Sequence, residues 1–183
     1  MTEKHPGGLT MTKRLLAQST LLPCKILDMG AGDGITVKYL LESGYDAWGI
    51  DLKQSVSCTF PRIYSGDFLH TPFSSESFDA LISECAFYLS QDIAGALKES
   101  ARILKRSGKL LLADVCFLPP DAYQKLITEA GFSIISFEDI TPLWKEYYLS
   151  CIWDGTVSDI CTSAIEGKVN GKCSYYLTIC ERT

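Results

Sequence analysis

No stretch of this sequence approaches the roughly 20 apolar residues that a membrane-spanning helix needs. The opening MTEKHPGG is too polar for a signal peptide, which predicts a cytoplasmic protein without a membrane partner. No C-x-x-C pair occurs, which removes the usual structural-zinc and redox readings, so no metal centre is expected. Basic charge is not in excess: 17 Lys and Arg stand against 22 Asp and Glu, a net −5. The electrostatic footprint of a nucleic-acid partner is therefore missing. Internal repeats and low-complexity stretches are absent as well. Cysteine, by contrast, is plentiful, with eight residues. In a chain that carries no secretory signal and can build a core, they are expected to be reduced thiols.

The 183 residues, 46% of them hydrophobic, are expected to form one domain, 1–183, that needs no staples. From residue 24 short apolar runs alternate with helical ones, the pattern of an α/β sheet wound on both faces. Strands are predicted at 25–30, 46–52, 62–67, 78–88, 108–117, 132–139 and 172–182. Helices are predicted at 35–44, stopped by Gly44, at 92–104, capped by Asp92, and at 120–131, between Pro120 and Gly131. A further helix near 9–20, within an N-terminal cap of residues 1–23, is expected to pack on the sheet that 24–140 builds. Residues 141–171 hold Trp144, Tyr147, Tyr148 and Trp153 and form an insertion ahead of the last strand.

The sharpest feature is ILDMGAGDG, residues 26–34, at the end of the first strand. Glycines at 30, 32 and 34 let the backbone turn tightly and leave room for a ligand against it. Open α/β sheets bind ligands outside the carboxyl ends of their strands, where strand order reverses, and this loop falls there. Asp51 follows seventeen residues beyond Gly34, placed to accept both hydroxyls of a ribose. A dinucleotide site needs G-x-G-x-x-G facing a pyrophosphate. Here the third such position is Ile35, and the loop opens with Asp28, whose charge would repel a pyrophosphate. An ammonium and a sulfonium suit that charge, which favours S-adenosylmethionine over NAD as cofactor.

The motif I-L-D-x-G-x-G-x-G followed by G-I-D resembles the class I S-adenosylmethionine-dependent methyltransferases, nearest to their compact type 11 branch. The match continues through GDFLHTPFSSESFDALISECAFYLS (66–90) and RILKRSGKLLLADV (102–115), covering about 90 residues in order. The resemblance implies a Rossmann-like doubly wound sheet of seven strands, mostly parallel, with the last antiparallel. It also implies methyl transfer to a small-molecule acceptor, with S-adenosylmethionine as cofactor. Asp28, Met29, Gly30, Ala31 and Gly32 would hold its methionine end. Asp51 and Leu52 would hold ribose and adenine, and Asp67 and Phe68 would read the adenine. Glu84 and Cys85 would line the floor near the methyl. The turn Arg106-Ser107-Gly108-Lys109 departs from the family's R-P-G-G, and histidines common after the fourth strand are missing.

Methyl transfer needs proximity and alignment first, and for some acceptors a base. Glu84 and His70 are the candidates; against them stand a strand-end carboxylate bonded to backbone amides and a loop histidine beside Thr71-Pro72. Cys85, Cys116, Cys151 and Cys161 could offer soft ligands to a soft acceptor, or simply pack as small hydrophobes. The aromatic segment is equally a lid or a seal. A non-catalytic S-adenosylmethionine-binding protein and an NAD-dependent oxidoreductase remain as alternatives.

Overall fold

In a computed structural model that describes residues 6–52, 62–155 and 173–183, the chain forms one seven-stranded sheet. In chain order the elements begin with α1 (Gly8–Ser19), β1 (Lys25–Met29), α2 (Ile35–Glu42), β2 (Asp46–Asp51) and β3 (Ile63–Ser65). They continue with β4 (Phe78–Glu84), a 3-10 turn (Phe87–Ser90), α3 (Ile93–Ile103), β5 (Leu104–Cys116) and α4 (Pro120–Glu129). The last are β6 (Phe132–Asp139), α5 (Thr141–Trp153) and β7 (Ser174–Arg182). The strand order is β3-β2-β1-β4-β5-β7-β6, and β7 runs antiparallel to both its neighbours. The doubly wound architecture expected from the sequence is the one observed.

Strand alternation divides the core in two. Leu27 and Met29 of β1, Leu81 of β4 and Leu110 and Leu112 of β5 face α3 and α4. Ile26, Ala80, Ile82, Leu111 and Ala113 face the other way, against α1, α2 and the Trp144 ring of α5. The same parity puts Asp28, two residues beyond Ile26, and Glu84, two beyond Ile82, on the α1–α2 face. Both stand at the carboxyl ends of adjacent strands.

Boundaries differ from expectation in two informative places. β5 starts at Leu104 rather than 108, because a bulge lets Leu104 pair with Phe78 before Lys109 resumes pairing with Ala80. Ser107, at φ 58, turns the backbone there. β4 ends at Glu84 rather than 88, because Cys85 takes φ 54 and leaves the sheet. Asp92 caps α3 as predicted, accepting from the Gly95 amide at 2.8 Å. Trp144 is buried and stacks on Tyr148 at 5.5 Å, while Trp153 is 91% exposed. Among the described residues neither lines the cleft described below. Residues 156–171 of the aromatic insertion, Cys161 among them, lie outside the described residues.

Candidate functional site

The strand order reverses between β1 and β4, and a cavity of about 870 Å³ opens above their carboxyl ends. That volume is near the top of the range for one drug-sized ligand. The glycine loop forms its floor. Gly30, Gly32 and Gly34 all adopt positive φ (91°, 54° and 81°). At Gly30 a Cβ would stand 2.3 Å from the Ala86 Cβ, so the loop can pass the exit of β4 only as glycine. At Gly32 a Cβ would meet nothing within 4 Å, because that position faces the cavity. Asp51, at the tip of β2, accepts from the Gly32 amide at 2.9 Å, which ties the two halves of the motif together.

Of the residues expected to contact a cofactor, Asp28, Gly30, Ala31, Gly32, Asp51 and Leu52 line this cavity. Asp67, Phe68, Glu84 and Cys85 line it too. Met29 does not: it is fully buried on the opposite face of β1, where its sulfur accepts from the Ser100 hydroxyl at 3.5 Å. His70 does not either: its side chain is 85% exposed, 3.7 Å from the Asp67 carboxylate on the outer side of that turn.

Charge is the site's dominant property. Five carboxylates line it, Asp28, Asp33, Asp51, Asp67 and Glu84, and no Lys, Arg or His does so among the described residues. Asp28 is only 4% exposed, and no hydrogen bond or ion pair to its carboxylate occurs among the described residues. Burial, and then the charges of Glu84, Asp51 and Asp33, push its pKa well above the usual carboxylate range. Glu84 is half-buried and is pushed to about 7, chiefly by desolvation. Its Oε2 accepts from the Thr12 hydroxyl of α1 at 2.8 Å and from Thr36 of α2 at 3.4 Å. Its Oε1 is buried and has no hydrogen-bond partner among the described residues. Cys85 Sγ lies 3.2 Å from the Tyr175 hydroxyl, which donates to the Ala113 carbonyl.

Several supports were not foreseen. Asp114 of β5, fully buried, accepts from the Phe87 and Val115 amides at 2.7 Å and anchors the 3-10 turn whose Leu89 and Ser90 line the cavity. Glu99 of α3 accepts from the Thr71 amide (2.9 Å) and hydroxyl (2.6 Å) and pairs with Arg102, which fixes the turn carrying Asp67 and Phe68. Phe68 in turn stacks on Phe87 at 5.6 Å. Gly8 and Leu9, at the start of α1, form a wall of the cavity. Thr36 was the most accessible of these to sequence reasoning, one residue past the start of the helix that the motif opens.

Residues 27–112 match the family described as a methyltransferase domain. The chain is 30% identical over 148 residues to the uncharacterized methyltransferase YodH of Bacillus subtilis, covering 73% of this chain and 63% of YodH. It spans just over three fifths of the length of the curated relatives it matches. Among solved structures, it is similar to geranyl diphosphate C-methyltransferase from Streptomyces coelicolor A3(2), solved with Mg2+, geranyl diphosphate and S-adenosyl-L-homocysteine. The TM-score is 0.78 at 17% identity, covering 96% of this chain and 77% of that one. The cyclase SpnF gives a TM-score of 0.70 at 17% identity, covering 94% of this chain and 79% of the cyclase. These last two likenesses concern the fold. With the sequence match, the glycine loop and the strand order taken together, the chain belongs to the class I S-adenosylmethionine-dependent methyltransferase family.

Proposed function

We propose that the protein is an S-adenosylmethionine-dependent methyltransferase that acts on a small-molecule acceptor. The observation that carries this reading is Asp28: a buried carboxylate, without a protein partner among the described residues, that faces a cavity already ringed by acids. Such a group is costly to bury unless a cation arrives from outside. A pyrophosphate would raise that cost, whereas a ligand with an ammonium and a sulfonium removes it.

The residues present fit that cofactor. Asp28 would take the ammonium, with the backbone of Gly30 to Gly32 beneath the amino-acid end. Asp51, oriented by the Gly32 amide, would accept from the ribose hydroxyls, with Leu52 beside the adenine. Asp67 and Phe68 would receive the base, in a turn that Glu99 and Phe87 hold still. Once bound, the cofactor supplies an activated methyl group for in-line displacement. The chain's own task is then alignment and exclusion of water, effects worth several kcal/mol in rate. Apolar walls from Leu9, Leu69 and Leu89 leave room for a small second molecule rather than a polymer. The test is release of S-adenosylhomocysteine from S-adenosylmethionine in a panel of small acceptors. Turnover above the acceptor-free rate is expected; cofactor binding without turnover on any of them would leave a binding protein instead.

A further inference from the structure

If Asp28, Asp51 and Asp67 are committed to the cofactor, Glu84 is left on the α1 side of the cavity beside Gly8 and Leu9. Its two oxygens are unlike. Oε2 is saturated by the hydroxyls of Thr12 and Thr36, so the carboxylate is fixed by two helices that meet over it. Oε1 is buried and accepts nothing from the described residues. A buried acceptor left unmade is costly, so a complete site brings a donor to it. The terminal torsion of glutamate is broad, so a donor that enters the cavity can meet Oε1 after a turn about the Cγ–Cδ bond.

We propose that Glu84 is the acceptor-recognition group and that the acceptor is a primary or secondary amine. This rests on the cofactor reading above. A sulfonium carries charge but no N–H, so it cannot complete Oε1. A hydroxyl donates but brings no charge into a cavity lined by five carboxylates. An amine bound as its ammonium does both, and its nitrogen becomes the nucleophile once one N–H proton is removed. A phosphorylated or carboxylated acceptor would meet like charge on every acidic wall, with no Lys, Arg or His among the described lining residues to offset it. Geranyl diphosphate C-methyltransferase, which has the same fold, takes an anionic acceptor, so the fold does not fix this choice. In the step itself the bound ammonium first passes one N–H proton to Glu84 Oε1, and the freed lone pair forms the N–CH3 bond as the methyl–sulfur bond breaks. The bonding pair returns to sulfur, the product leaves as the methylated ammonium, and Glu84 gives its proton back to solvent.

The probe is sinefungin, in which an amine-bearing carbon replaces the methyl-bearing sulfur, compared with S-adenosylhomocysteine, which has no group there. Calorimetry on the wild-type protein is expected to give at least tenfold tighter binding of sinefungin. In Glu84→Gln that preference is expected to fall below threefold, with affinity for S-adenosylhomocysteine within threefold of wild type. Equal affinities in the wild type overturn the proposal whether or not the variant folds. A parallel loss of both ligands in the variant also overturns it, because Glu84 then serves the cofactor's own ammonium. A natural acceptor that proves to be a phosphate ester or carboxylate overturns the class. Failure of the wild type to bind either ligand is a different result, since it removes the cofactor reading itself.

Discussion

Asp28→Asn separates stability from function with opposite signs. The side chain keeps its shape and loses its charge, at a position 4% exposed and faced by Glu84, Asp51 and Asp33. Burial and these neighbours raise the folded-state pKa, so the native protein binds more protons than the unfolded chain above the ordinary value of 3.8. Stability from this group is therefore greatest at low pH and falls as pH rises toward the folded pKa. The loss is up to about 1.4 kcal/mol per pH unit. Asparagine removes that slope. Between pH 5.5 and 7.5 the variant should gain up to roughly 3 kcal/mol on the wild type. At about 2–4 °C per kcal/mol for a domain of this size, the relative gain in Tm is up to about 6–12 °C. Cofactor affinity should move the other way. Losing a charge-assisted contact to the ammonium costs about 1.5–3 kcal/mol, roughly 10- to 150-fold in Kd. Thermal melts of the ligand-free protein at both pH values, with calorimetry of S-adenosylhomocysteine at one, measure both effects. An unchanged or lowered Tm at pH 7.5 together with unchanged affinity would refute the reasoning.

Other consequences are as direct. Asp51→Ala removes the partner of the Gly32 amide and the ribose acceptor, so binding should weaken at least tenfold in a folded protein, as read by calorimetry. Gly32→Val places a branched side chain at φ 54 in the cavity, and cofactor binding should be abolished; normal affinity would mean the ligand lies elsewhere. Glu84 and Asp114 are both pushed up to about 7, so with Asp28 they should make the ligand-free protein lose stability from pH 5 to pH 7, their own share of the loss ending above that. A melting temperature that instead rises across that window would contradict both assignments. Saturating S-adenosylmethionine should flatten the fall, because a bound cation favours the ionised carboxylates.

The legible part of the site was local. A glycine loop after a strand and a carboxylate at the next strand's tip are readable because backbone geometry and ligand chemistry both act within about twenty-five residues, 28–52. Strand alternation likewise placed β6 at 132–139, as found. What was not legible depends on contacts across the chain. Thr12 meets Glu84 over 72 positions, and Asp114 meets the Phe87 amide over 27. Nothing in a threonine on a helix face, or in an aspartate ending an apolar strand, marks such a partner. Met29 was misplaced for a simpler reason: motif membership puts its backbone in the loop's approach, but the pleat turns its side chain into the opposite core. His70 stands out in the sequence as one of only two histidines, yet its position on the turn leaves its side chain in solvent.

Which nucleotide the protein binds decides most directly whether the acidic cavity is a sulfonium site. Calorimetry of S-adenosylmethionine, S-adenosylhomocysteine and NAD on the purified, reduced protein is expected to give micromolar binding of the first two and none of the third. Binding of NAD alone, or of none of the three by folded protein, would contradict the claim that this acidic cavity holds a sulfonium cofactor.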